Sequence, residues 1–161
     1  MKQYEIEGNT LTLRVKKGPV IIRIVLFFIA LLFFVAPLIS IVTAASNKSG
    51  LKLGHILGPI LFGLMGFYLL RLALWNTYGK EMITFDNSTL NYIADYGWFK
   101  DGRKRKSLTD KIEFTIQNVG YEEDNKGKLL INLSKDQLQC VTVMPVHELE
   151  MLIGEVRVLV S

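Results

Sequence analysis

"IVLFFIALLFFVAPLISIVTAASN", residues 24–47, and "LGHILGPILFGLMGFYLL", residues 53–70, decide the architecture, because neither contains Asp, Glu, Lys or Arg. At 1.5 Å rise per residue the first makes about 36 Å of helix and the second about 27 Å, against a hydrocarbon core of about 30 Å. The second run lengthens through Leu72–Trp75 when Arg71 extends its guanidinium toward headgroups, as long basic side chains near helix ends do. The apolar core of a signal peptide is only about 7–15 residues long, so the first run reads as a span and not as a cleaved leader. A short polar link, SNKSG at 46–50, makes the two an antiparallel hairpin over 19–76, with spans at about 20–45 and 53–75.

Basic residues orient it. Arg14, Lys16, Lys17 and Arg23 precede or begin the first span, and Arg71, Lys80 and a basic run follow the second; only Lys48 and Lys52 lie between. The excess of Lys and Arg outside the hairpin puts both termini on the cytoplasmic side. Arg23, Arg71, Trp75 and Tyr78 are then the expected interfacial anchors. Ala36, Ser40 and Ala44 recur every fourth residue in one span, and Gly54 and Gly58 do so in the other, with Gly63 and Gly66 further in. Small residues at that spacing let helix backbones approach closely. Pro37 and Pro59 fall at similar depth, which fits either a kink with a function or ordinary helix packing. With no acidic residue in either span, the groups that a proton or ion pathway needs are missing.

From Lys80 the hydrophobic period shortens to that of β-strands, expected at 81–86, 89–99, 103–108, 111–118, 128–133 and 138–144. Asn87-Ser88, Asp101-Gly102 and Asp124–Gly127 supply the turns, Asp-Gly being a strong hairpin signal. The strand at 103–108 differs from the others in carrying four consecutive basic residues, which bury nothing. The end of the chain, "PVHELEMLIGEVRVLVS", places Val146, Leu149, Leu152, Ile153, Val156, Leu159 and Val160 on one helical face, with Pro145 in the first turn. At the other end, residues 1–18 hold "YEIEGNTLTLRV", which alternates about a Gly8-Asn9 turn. A lone hairpin is marginal in water, so it is expected to join the sheet formed after residue 80.

Short antiparallel strands closed by one C-terminal amphipathic helix resemble a pleckstrin-homology-like (PH-like) domain over 80–161. The order of membrane hairpin, strands and a terminal helix beginning "MPVHELEMLIGEV" is similar to small bacterial membrane proteins that carry one. The resemblance implies a mainly-β domain on the cytoplasmic face of the inner membrane and a binding or scaffolding role. In the wider PH family basic residues on the loop between early strands can grip phosphoinositide headgroups, and Lys100, Arg103, Lys104, Arg105 and Lys106 stand in a comparable early-hairpin place.

That basic stretch, "GWFKDGRKRKSLTDK" at 97–111, has three readings. Nucleic acid would use aromatic stacking beside cations, but the net charge is only +4 and no nucleic-acid motif is present. Membrane lipids suit it better, since each Lys or Arg near an anionic surface contributes about 1 kcal/mol. The plain alternative is a solvated hairpin tip, with Trp98 and Phe99 in the sheet core. A protein partner in the membrane, as for an accessory subunit or a toxin-immunity protein, and a homo-oligomer stay open. No catalytic, cofactor or metal motif is expected: Cys140 is the single cysteine, "HELE" at 147–150 lacks a second His, and Glu122–Asp124 reads as an acidic tip.

Overall fold

The computed structural model describes residues 2–46, 53–108, 112–134 and 136–160. Lys48, Lys52 and Lys111 of the sequence reading lie outside the described residues, as do the side chains of Glu122, Leu159 and Val160. The chain divides into two units: residues 17–77, and residues 1–16 together with 78–161.

The first unit holds α1 (Val20–Ser46) and α2 (Gly54–Tyr78), both long and apolar enough to cross a membrane. Little of either is buried by protein, and Ile21, Leu31, Val42, Leu61 and Leu64 are among many large apolar side chains left outward. A core helix of a water-soluble domain would bury such residues.

The second unit has two antiparallel sheets and a helix. β1 (Tyr4–Glu7), β2 (Thr10–Arg14), β3 (Lys80–Asp86), β4 (Thr89–Asp95) and β5 (Lys100–Ser107) form one sheet in that order. β6 (Ile112–Asn118), β7 (Lys126–Leu133) and β8 (Asp136–Pro145) form the other. β2 pairs with β3 from Thr10↔Thr84 to Arg14↔Lys80, so strands that flank the two long helices in sequence are hydrogen-bonded neighbours.

Period-two alternation fills the core. Leu11 and Leu13, Ile83 and Phe85, and Leu90, Tyr92 and Ala94 are buried from the first sheet; Phe114, Leu129, Ile131, Leu138 and Met144 are buried from the second. Phe85 and Phe114 meet edge to face with ring centroids 6.2 Å apart. α3 (Val146–Val160) closes the three-stranded sheet with Leu149, Leu152, Ile153 and Val156 inward. Its Glu155 accepts a hydrogen bond from the Tyr4 hydroxyl at 3.0 Å, which fastens β1 to the helix.

Glu81 joins the sheets. It sits in the inward phase of β3 with Ile83 and Phe85 and is fully buried. Opposite it, β8 bulges: Leu129 of β7 alone faces Cys140, Val141 and Thr142 of β8, between the pairs Lys128↔Val143 and Leu130↔Gln139. The Glu81 carboxylate accepts the backbone N–H of Val141 at 2.8 Å and of Thr142 at 2.6 Å, plus the Tyr92 hydroxyl at 2.7 Å. Burial, reinforced by the charge of Glu81, holds the Tyr92 phenol above its usual range and the Cys140 thiol well above its own.

Removing that acceptor strands buried donors, at about 1–3 kcal/mol each. Glu81→Ala should therefore lower unfolding free energy by at least about 3 kcal/mol, and Tyr92→Phe by about 1 kcal/mol, in denaturant titrations of the detergent-purified protein. The neutral forms of Cys140 and Tyr92 are favoured by folding, so above the unfolded pKa values the native state binds more protons than the unfolded one. Stability should be fully present below about pH 8.5 and fall as pH rises, and Cys140→Ala should delay the onset to about pH 10, read from melting temperature against pH.

Candidate functional site

β5 carries the basic run along one edge of the five-stranded sheet, paired among the described residues with β4 alone. This corrects the expected hairpin tip. "ADYGWFKDGR" contains two turn signals, and the chain turns at the first: Gly97 and Trp98 form the connection, and the Tyr96 N–H donates to the Phe99 carbonyl at 2.9 Å. Gly97 has φ +86°, and the Asp95 carboxylate accepts its N–H at 2.8 Å. Asp101-Gly102 is left inside β5, where Gly102, φ +66°, serves the register shift between Tyr92 and Ala94. β4 consequently ends at Asp95, and the next strand begins at Lys100.

Because strand side chains alternate, Arg103-Lys104-Arg105-Lys106 does not make one patch. Lys104 and Lys106 stand opposite Tyr92 and Leu90, on the core side. The Lys104 ammonium lies 5.6 Å from the centre of the Tyr92 ring, and Lys106 pairs with Asp136, whose carboxyl it holds below the usual range. Arg105 stands opposite Asn91 on the outer face, which Arg103 shares. Arg103, Arg105 and Lys100 are exposed and make no ion pair with a described residue. Charged side chains on an edge strand also oppose strand addition by another chain.

The aromatic neighbours separate. Phe99 stacks on Tyr96 with centroids 4.8 Å apart, whereas Trp98 is 70% exposed at the turn, contrary to the core position expected of it. A residue in a two-residue connection has no sheet face to bury itself against.

In the helical unit, two of the small residues expected to pack are buried, Ala44 and Gly66, while Gly58 and Gly63 are half-buried and Ala36, Ser40 and Gly54 are exposed. The buried positions of α1 recur every seventh residue, at Ala30, Pro37 and Ala44. Gly66 of α2 packs against Phe33 and Phe34 of α1: a Cβ there would lie 3.0 Å from the Phe34 ring and 3.1 Å from the Phe33 Cβ. Phe33 and Phe62 pack at 5.4 Å between ring centres. Of the expected anchors, Arg23, Arg71 and Trp75 are half-buried and Tyr78 is exposed.

Among the described residues no cluster of His, Cys, Asp and Glu could hold a metal ion. Comparison with family models, with curated proteins and with solved structures finds no match. The polar residue that sequence reasoning overlooked is Glu81. Its signal was a carboxylate in the apolar phase of "EMITFD".

The seam gives a direct test. Gly66→Leu should weaken hairpin packing by about 1–3 kcal/mol, as an over-packed contact does, while Ala36→Leu on the exposed face should change it by less than about 0.5 kcal/mol. Denaturation of the detergent-purified protein, followed by helical circular dichroism, distinguishes the two.

Proposed function

We propose that this chain is an integral membrane protein of the bacterial inner membrane that acts by binding, presenting a PH-like domain to anionic lipid headgroups on the cytoplasmic face. The observation that carries the reading is the edge strand β5, on which Arg103, Arg105 and Lys100 are exposed and unpaired among the described residues. The two-sheet arrangement with one closing helix supports the PH-like assignment. β2–β3 pairing supports the topology: strands that precede α1 and follow α2 must lie on one side of a bilayer, so the chain between them crosses twice or not at all. The apolar exterior of both helices favours two crossings, and the basic flanks favour the cytoplasmic side for the domain.

Binding, not catalysis, fits the placement of the reactive groups. Glu81, Tyr92 and Cys140 are all buried, and Glu81 is taken up by the backbone of β8. A second reading, an accessory subunit of a larger membrane complex, draws on the small outward-facing Ala36 and Ser40 of α1, which would admit a partner's helix.

At about 1 kcal/mol per charge, Arg103→Gln with Arg105→Gln should weaken affinity for anionic lipid by about 30-fold. Lys104→Gln with Lys106→Gln should weaken it much less, because those charges are directed at Tyr92 and Asp136. Titration of phosphatidylglycerol and phosphatidylcholine into the detergent-purified chain, read by native mass spectrometry, checks both pairs. Equal binding of the two lipids by the unaltered chain would end the lipid reading. A second protein retained at fixed stoichiometry would favour the subunit.

A further inference from the structure

One end of the five-stranded sheet differs from the other in chemistry and in connectivity. Arg14, Lys80, Asp95 and Lys100 are cross-strand partners in sequence across β2, β3, β4 and β5, a row whose side chains share the outer face and include three cations. Trp98, 70% exposed, projects from the β4–β5 turn at this same end. Gly97 of that turn packs on Tyr78, where an added Cβ would lie 2.8 Å from the Tyr78 Cβ. Tyr78 is itself the last residue of α2.

Both connections to the apolar helices leave from here. β2 ends at Arg14 and α1 begins at Val20; α2 ends at Tyr78 and β3 begins at Lys80. The two connecting segments are bonded to each other, the Val15 N–H donating to the Gly79 carbonyl at 3.0 Å. One residue, Gly79, is all that separates Lys80 from the end of α2, so chain connectivity alone keeps this end of the sheet within a few ångströms of the point where the second span finishes.

From this we infer that the Trp98 end of the sheet seats on the headgroup layer of the bilayer that α1 and α2 cross, with the Trp98 indole in the interfacial layer and Lys80 and Lys100 directed at lipid phosphates. The inference rests on the proposed two-span topology. An indole is apolar in its body and polar at its N–H, which suits the headgroup layer, and lysine stems lie along apolar surface while the ammonium stays in water. Tyr78, exposed beside the turn, extends the same aromatic rim. The contact is set by the tether and the indole, so it forms on zwitterionic as well as anionic lipid. That separates it from the lipid preference assigned to Arg103 and Arg105.

The chain has two tryptophans, Trp75 within α2 and Trp98 at the turn, and each serves as the other's control. The full chain carrying Trp75→Phe, and separately the full chain carrying Trp98→Phe, would be reconstituted in phosphatidylcholine vesicles containing lipids brominated at graded depths. Trp98 fluorescence should be shifted to the blue of tryptophan in water, be quenched most by the shallowest bromines and resist aqueous acrylamide. If Trp75 is quenched by bromolipid while Trp98 emits as in water and yields to acrylamide, the seating is wrong and the two-span topology stands. If neither tryptophan is quenched by bromolipid, the topology itself fails and the seating with it.

Discussion

A single buried carboxylate holds the two sheets in their relation. Glu81 stands on the first strand after α2, and it spends its acceptors on a bulge in β8 some sixty residues later. Without it the Val141 and Thr142 amides, displaced from the β7–β8 ladder, would face an apolar interior. With it the bulge is satisfied, β8 lies against β3, and the core between the sheets closes over Ile83, Phe85 and Phe114. No basic residue hydrogen-bonds or pairs with Glu81 among the described residues, so its stabilisation comes from amide and phenol dipoles, the local form of charge solvation that suits a dry interior.

The same sheet constrains the helices. Since β2 and β3 are neighbours, the whole α1–α2 segment is an insertion between two adjacent strands. Two helices long and apolar enough to cross a membrane satisfy that condition without threading the chain, and their outward Ile, Leu and Val side chains leave an apolar exterior. The edges of the β unit's first sheet are asymmetric in charge. Glu5 and Glu7 face outward on β1, where Glu5 is occupied by Arg14 at 2.5 Å, while β5 at the opposite edge leaves Arg103 and Arg105 uncompensated by any described acidic side chain.

Much of this was legible in the sequence, and the misreadings have definite causes. Long runs without charge mark α1 and α2, because apolar length is what crossing a membrane requires, and alternation marks β3, β4, β7 and β8 because one face of each is buried. Turn placement was ambiguous because Gly97 and Asp101-Gly102 both allow positive φ; the local Asp95 side-chain bond and contact with Tyr78, distant in sequence, select the first. Small-residue spacing located only part of the helical seam: Ala44 and Gly66 are buried, but the bulky Phe33 and Phe34 lie against Gly66, and the buried positions of α1 repeat every seven and not every four. For the candidate site, the run of four cations was plain, but its division between two faces depends on β5 being an edge strand in a particular register.

In the proposed topology the chain crosses the membrane twice and its β unit lies on the cytoplasmic side. Single cysteines introduced into a Cys140→Ala background, as Lys2→Cys, Ser46→Cys and Glu123→Cys, report this directly when a membrane-impermeant thiol reagent is applied to intact and then to permeabilised spheroplasts. Labelling is expected at residue 46 in intact spheroplasts and at residues 2 and 123 only after permeabilisation. Labelling of residue 123 from outside, or of residues 2 and 123 from opposite sides, would contradict it.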